Sequence, residues 1–360
     1  MAERLKDLFF TSASIAKLAQ AIERAYPAFD VAQFRALLYD DAWESKELMA
    51  RMHHTAYCLG QTLPAYPKAL QILKRVAPHV SGFEGIMFAD FIQQFGQNDW
   101  KRSLPALKFF TRFGSAEFAI RAFLAQDSQR ALAYLYEWAE DKDHHVRRLA
   151  SEGCRPRLPW AMALPQFKQD PRPLLPILER LKDDESEYVR KSVSNNLNDI
   201  SKDHPELVLE IAERWYGKAE RTDWVVRHAL RGLLKARNAR ALALFGVNDA
   251  KHIAVKNFAL DKTRVQIGAG FTFSFALRVG GKQARSVRLE YAIDFVRGNG
   301  GSHKKVFQIA ERAFAPGLHM FRKKHSMVNR TTRKHFAGTH HIVIVVNGKE
   351  RAGAEFEVVT

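Results

Sequence analysis

Asp141-Lys142-Asp143-His144-His145-Val146-Arg147-Arg148-Leu149-Ala150 is echoed by Asp184-Glu185-Ser186-Glu187-Tyr188-Val189-Arg190-Lys191-Ser192-Val193, and again by Thr222-Asp223-Trp224-Val225-Val226-Arg227-His228-Ala229-Leu230. The anchors Val146, Val189 and Val226 stand 43 and then 37 residues apart, spacings that bracket HEAT-type helical repeats. Each copy sets an acidic or capping residue ahead of a helix, then a buried valine, then a basic pair. An acid at that point complements the helix dipole.

Outward from these copies, residues 1–247 read as successive short amphipathic helices. Ile15, Leu18, Ala19 and Ile22 share one helical face, and Ala69, Ile72, Leu73 and Val76 share another. Pro64, Pro67, Pro78 and Pro105 are expected at helix ends. A short helix hides only one apolar stripe, so many in series predict stacked pairs. After about residue 258 the period becomes two. Phe271, Phe273, Phe275 and Leu277 alternate with Thr272, Ser274, Ala276 and Arg278. The run Ile342-Val343-Ile344-Val345-Val346 meets Phe356-Glu357-Val358-Val359 through Asn347-Gly348, a hairpin turn pair. About seven strands are expected, enough for an immunoglobulin-like sandwich. The expected chain is therefore mostly α: a HEAT-like repeat α-solenoid over residues 1–250, then a small all-β immunoglobulin-like sandwich over residues 258–360, with the boundary within 248–257.

Charge points to a polyanion. The chain has 56 Lys+Arg against 39 Asp+Glu, a net charge of +17. Residues 251–360 alone contribute +13. The pairs Arg147/Arg148, Arg190/Lys191 and Arg227/His228 recur at one repeat position. In a solenoid such positions line up on one surface, read here as the concave one, and a column of cations is a phosphate track. Ser192, Ser194, Asn195, Asn196, Asn198 and Lys202 add polar groups to the middle copy, where such residues are poor helix formers and suggest bonding outside the core. In the C-terminal part, Arg322, Lys323, Lys324, Arg330, Arg333 and Lys334 lie between His319 and His335, and are expected to touch phosphates or a minor groove.

Several chemistries are excluded or weak. Two cysteines, Cys58 and Cys154, make neither a disulfide framework nor a four-thiolate zinc site, and suit a reduced cytoplasm. No apolar run is long enough to span a membrane. Gly281-Lys282 lacks the rest of a phosphate loop. His53/His54, His144/His145 and His340/His341 are adjacent pairs, whereas helical metal ligands prefer i,i+4 spacing, so no metal is expected.

Carboxylates inside the basic surface carry the chemistry. Glu152 lies four residues from Arg148, on the same helix face. The equivalent positions in the other copies are Asn195 and Gly232, so the repeat itself does not demand an acid there. An i,i+4 ion pair with Arg148 is the structural alternative. Upstream, Ser115 is expected to cap a helix with Glu117 in its first turn. Pro156 and Pro159 fix an extended turn ending in Trp160, either a core indole or a rigid stacking platform.

Residues 146–160, VRRLASEGCRPRLPW, and 189–203, VRKSVSNNLNDISKD, closely resemble the AlkC group of HEAT-like-repeat alkylpurine DNA glycosylases. LKDLF at 5–9 and TTRK at 331–334 fit the same group. Some members carry an appended immunoglobulin-like domain. The resemblance implies hydrolysis of the N-glycosidic bond at cationic N3-alkylated bases, such as 3-methyladenine and 3-methylcytosine, in double-stranded DNA, without full base flipping. It implies Glu152 and Glu117 as catalytic groups, and Trp160, Arg148 and Asp199 as lesion contacts. Arg147, Arg190, Lys191, Ser192, Asn195, Lys202, Arg227, His228, Lys323, Lys324, Arg333 and Lys334 become candidates for the DNA backbone. No cofactor or membrane is implied, and the chain is expected to act as a monomer. The competing reading is a non-catalytic nucleic-acid-binding repeat scaffold, in which Glu117 and Glu152 are caps and ion pairs.

Overall fold

The computed structural model describes residues 8–80, 82–247, 252–298, 300–329 and 334–360. Arg330 and Arg333, with most of the 331–334 motif, lie outside the described residues. The chain divides into two compact units, Met1–Ala229 and Leu230–Thr360.

The first unit is helical. It runs α1 (Ser12–Ala25), α2 (Val31–Leu38), α3 (Leu48–Thr62), α4 (Tyr66–Val76), α5 (Ile86–Phe95), α6 (Trp100–Phe110), α7 (Ile120–Gln126), α8 (Ser128–Trp138), α9 (His144–Glu152), α10 (Pro165–Gln169), α11 (Leu175–Leu181), α12 (Glu187–Ile200), α13 (Pro205–Trp215) and α14 (Glu220–Ala229). The apolar stripes decide which faces are hidden: Ile15, Leu18, Ala19 and Ile22 of α1 are buried, as are Ala69, Ile72, Leu73 and Val76 of α4. Side-chain caps set several starts. Asp99 accepts from the Arg102 N–H, Asp127 from Arg130 and Asp143 from His145. Pro105 departs from expectation, because it sits inside α6 rather than at its end. It costs the helix one backbone donor there, on an exposed position.

The three sequence copies are neighbours in space. α9 packs on α12, and α12 packs on α14. Val146, Val189 and Val226 are all buried at these contacts. Behind them, α8 packs on α9, α11 on α9 and α12, and α13 on α12 and α14. This is the paired stacking that a HEAT-like repeat requires.

The second unit opens with two short helices, α15 (Arg231–Lys235) and α16 (Ala239–Leu244), ahead of the change in sequence texture. Eight strands follow among the described residues, one more than expected: β1 (Ile253–Leu260), β2 (Arg264–Gln266), β3 (Gly270–Val279), β4 (Arg285–Val296), β5 (Ser302–Phe314), β6 (Gly317–Ser326), β7 (Gly338–Val346) and β8 (Lys349–Val359). β1 therefore begins before residue 258. The strands form two sheets, ordered β1-β3-β6 and β2-β8-β7-β4-β5. All pairings are antiparallel except β2 with β8. Phe271, Phe273, Phe275 and Leu277 turn inward as their alternation requires, and meet Val287, Leu289, Ile293, Ile342 and Ile344 in one core. Asn347 and Gly348 both take positive φ, 50° and 74°, so Val346 pairs with Lys349 across a two-residue loop. The two short helices belong here by contact: Arg237 pairs with Glu350 at 3.2 Å, and Gly348 lies against the Leu242 and Arg237 side chains.

The first part of the basic segment, residues 319–326, is an edge strand. β6 pairs with β3 from Gly317 to Ser326, leaving Arg322, Lys323 and Lys324 exposed while His325 is buried against Tyr291.

Candidate functional site

The first arginine of two of the three basic pairs turns back onto the repeat itself. Arg147 is buried, and its Nη1 donates to the carbonyls of Asp141 and Lys142 at 2.9 Å each. Its Nε meets Asp184 Oδ2 of the next repeat at 2.6 Å. Arg190 repeats the gesture, with Nη1 on the carbonyls of Asp184 and Glu185 at 2.7 and 2.9 Å. Lys108 meets Asp141 at 2.6 Å, as Arg147 meets Asp184. These cations clamp the turn before each repeat helix and tie neighbouring repeats together. The candidate phosphate track is correspondingly thinner, because both arginines have other work. Ser192 is buried too, and Asn195 is half-buried. Asn196 turns inward and donates to the Ser151 carbonyl at 2.8 Å, so part of the polar stretch bonds to the neighbouring repeat instead of an outside partner. Lys191, Lys202 and Arg227 are exposed, and His228 stacks on Trp224 with centroids 5.2 Å apart. Lys334 is exposed in the other unit.

The second member of the first pair, Arg148, faces the acids. Its Nη1 donates to Glu117 and, at 3.0 Å, to Ser115 Oγ, while Nη2 lies 3.4 Å from Glu152. Glu117 is not in a helical first turn. It occupies the turn before α7, where its N–H donates to Ser115 Oγ at 3.3 Å and its carboxylate accepts from the same hydroxyl at 2.6 Å. The i,i+4 pair of Arg148 with Glu152 exists, but a shorter bond reaches Glu152 from Arg155 Nη1, at 2.6 Å. Arg155 Nε donates to Asp199 Oδ2 at 2.9 Å, and Lys202 Nζ lies 3.1 Å from Asp199 Oδ1.

The result is an alternating chain of acids and bases, Glu117–Arg148–Glu152–Arg155–Asp199–Lys202, strung across two repeats and the turn before α7. Glu152, Arg155 and Asp199 are buried. Burial works against charge on Arg148, but Glu117 and Glu152 outweigh it and raise its pKa. Arg155 follows the same balance against Glu152 and Asp199. Tyr188 lies under the Arg148 guanidinium, 4.8 Å from Cζ to the ring centroid, and burial raises its phenol pKa.

The loop after α9 presents the indole. Trp160 is 67% exposed, so it is no core residue. Leu158 carbonyl accepts from the Ala161 N–H at 3.3 Å, with Pro159 second and Trp160 third at φ 64°. That bond and that positive φ belong to a type II turn, whose third position normally takes glycine. The loop is pinned at both flanks: Leu164 N–H bonds the Pro156 carbonyl, and Arg157 holds Asp203 at 2.6 and 3.2 Å.

Sequence reasoning missed Arg155 and Arg121, although both were in view. The partners of Arg121 are backbone carbonyls 32 to 41 residues away, which no spacing rule reveals. Arg155 stands at i,i+3 to Glu152, a local signal, but its second partner, Asp199, is 44 residues away. Asp143, His144 and His145 also bring one metal-type ligand atom each within 4.8 Å of one another. Both Asp143 oxygens are already engaged, one by the His145 N–H and one by Arg112 at 3.0 Å. That arginine opposes a cation.

Residues 106–233 match the family described as DNA alkylation repair enzyme, and residues 254–360 match the C-terminal Ig-like domain of the uncharacterised protein YhaZ. The uncharacterized protein YhaZ of Bacillus subtilis (strain 168) is 43% identical over 96% of each chain. A solved structure, Pseudomonas fluorescens alkylpurine DNA glycosylase AlkC bound to DNA containing an abasic site analog, is 39% identical, covers 99% of this chain and 100% of its own, and superposes with a TM-score of 0.96. The chain belongs to the AlkC-like DNA alkylation repair family. The segment matched to that repair family contains every member of the alternating chain and Trp160. Among the described residues, no helix is long and apolar enough to cross a membrane.

Proposed function

We propose that this AlkC-like protein is a DNA glycosylase that hydrolyses the N-glycosidic bond of cationic N3-alkylated bases, 3-methyladenine and 3-methylcytosine among them, in duplex DNA, as the first step of base excision repair. The observation that carries this reading is the placement of Glu117 and Glu152 on either side of Arg148, in a chain 39% identical along its length to an AlkC glycosylase bound to DNA.

The chemistry needs little acid. Ring alkylation makes the base cationic and a good leaving group. As the bond breaks, the sugar becomes oxocarbenium-like, and a carboxylate beside it stabilises that charge and orients the attacking water. Glu152 and Glu117 take this role, with Asp199 behind them as a further acid linked through Arg155. The exposed Trp160 face attracts a cationic base, worth roughly 0.5–2 kcal/mol. Arg148 holds both glutamates and lies at the lesion side. The lesion is met in the duplex without full extrusion. Lys191, Lys202, Asn195, Arg227 and His228 on the helical unit, with Lys323, Lys324 and Lys334 on the sandwich, serve phosphates. The protein acts as a monomer on the DNA, without a cofactor.

A non-catalytic scaffold has one observation in its favour: each of the three acids already has a cation partner. Release of free 3-methyladenine from methylated duplex, compared with Glu152→Gln, separates the two. The glycosylase reading expects release that the variant loses; the scaffold reading expects binding without release.

A further inference from the structure

Arg121 leads the fully buried side chains in size among the described residues. It stands on α7, four residues past Glu117. Its Nε donates to the Met162 carbonyl at 2.8 Å and its Nη2 to the same oxygen at 2.5 Å. Its Nη1 donates to the carbonyls of Gly153 and Arg155 at 3.0 and 2.7 Å. None of these bonds ends on a carboxylate. All end on the backbone of the single loop that follows α9. Burying a guanidinium without a direct counter-ion is expensive, several kcal/mol per ion. Here burial pulls the Arg121 pKa down to about 10, which still leaves it charged at neutral pH.

What this loop carries explains the expense. At its start is Arg155, whose side chain joins Glu152 to Asp199. At its far turn is Trp160, in a left-handed conformation that costs a non-glycine residue on the order of 1–3 kcal/mol. Such a conformation persists only where its surroundings over-determine it. Arg121 supplies that hold two residues on, at Met162. Lysine also has three donors, but it lacks the rigid planar fork that meets these three carbonyls at once.

We infer that Arg121 is a positioning residue of this site: through the backbone of Arg155 and Met162 it fixes the Trp160 indole and the Glu152–Arg155–Asp199 link in one relation, so that turnover depends on it far more than DNA affinity does. The effect on turnover rests on the glycosylase reading; the effect on the turn does not.

The test uses the full chain labelled with 5-fluorotryptophan, its six tryptophans giving fluorine resonances of which Trp160 is assigned by Trp160→Phe. Arg121→Met and Arg121→Lys are compared with the parent, alongside single-turnover base release from methylated duplex and duplex affinity. The expected result is a displaced or broadened Trp160 resonance with the others unmoved, base release slower by on the order of 100-fold, and duplex Kd within about threefold. If Arg121→Met loses its fold and all resonances collapse, Arg121→Lys decides by the same readouts. An unmoved Trp160 resonance in a folded variant overturns the inference, and so does parental turnover despite a displaced one. A parent that releases no base, with a Trp160 resonance that still answers to Arg121, keeps the clamp and removes the glycosylase reading.

Discussion

Arg155 Nε donates to Asp199 Oδ2 at 2.9 Å, from a loop of one repeat to the last turn of the helix of the next. Both groups are buried. Because the same guanidinium holds Glu152, the electrostatic setting of one acid is fixed by where the neighbouring repeat puts another. The repeat array thus does more than offer a face to a partner. It sets the geometry between carboxylates that lie far apart in sequence.

Trp160→Gly is expected to leave the protein as stable or more stable, because glycine accepts a φ of 64° without penalty. A gain of up to about 1 kcal/mol is reasonable. Base release from cationic lesions should fall about tenfold, with the cation–π face gone. Thermal melting and single-turnover kinetics check this. A large loss of stability would return Trp160 to a packing role.

Arg147→Ala and Lys191→Ala should part company, although both belong to the recurring basic pairs. Arg147 is buried on Asp184, so its removal strands a carboxylate and costs about 3–5 kcal/mol of stability. Lys191 is exposed, so its removal should leave melting unchanged and reduce the log–log salt slope of DNA binding by about one. An unaltered slope would take Lys191 out of the phosphate track.

The repeat was legible because its signals are local: a valine, a capping acid and a basic pair at one spacing. The alternation of Phe271, Phe273 and Phe275 was legible for the same reason. What spacing could not tell was where a long flexible cation ends up. Arg147 and Arg148 are adjacent in sequence, yet one reaches Asp184 and the other Glu117. For Trp160 the flanking prolines left a core indole and a stacking platform both open, and the choice between them lies in its exposure and its positive φ, which the sequence does not display. Arg121 left no trace, since its partners are carbonyls of a loop whose shape is set by the fold.

The domain division predicts how the chain can be cut. A fragment of residues 230–360 should fold, while one of residues 258–360 should aggregate or melt much lower. The shorter piece lacks most of β1, with buried Ile253, and the α16 face that meets Gly348. Equal melting temperatures for the two would contradict the division.

Stability of the C-terminal unit should fall as pH drops below 6.5. His340 is buried, with its Nε2 at 3.1 Å from the Phe336 carbonyl, and burial lowers its pKa below the ordinary 6.5. Below 6.5 the unfolded chain takes up a proton that the folded one refuses, so folding weakens until the folded pKa is passed. One such group gives a slope of at most about 1.4 kcal/mol per pH unit. Denaturant melts of residues 230–360 between pH 5 and 8 (a span of about three units) should show this fall, shallower in His340→Gln. The same slope in both would remove His340 as a cause.

The central claim is that the Glu117–Arg148–Glu152 arrangement breaks glycosidic bonds. Its most direct test is single-turnover release of 3-methyladenine and 3-methylcytosine from duplex DNA by the parent protein and by Glu152→Gln. The account predicts release by the parent, a loss on the order of 100-fold or more in the variant, and duplex affinity within a few-fold of the parent. No release by a folded, DNA-binding parent, or undiminished release by Glu152→Gln, would contradict it.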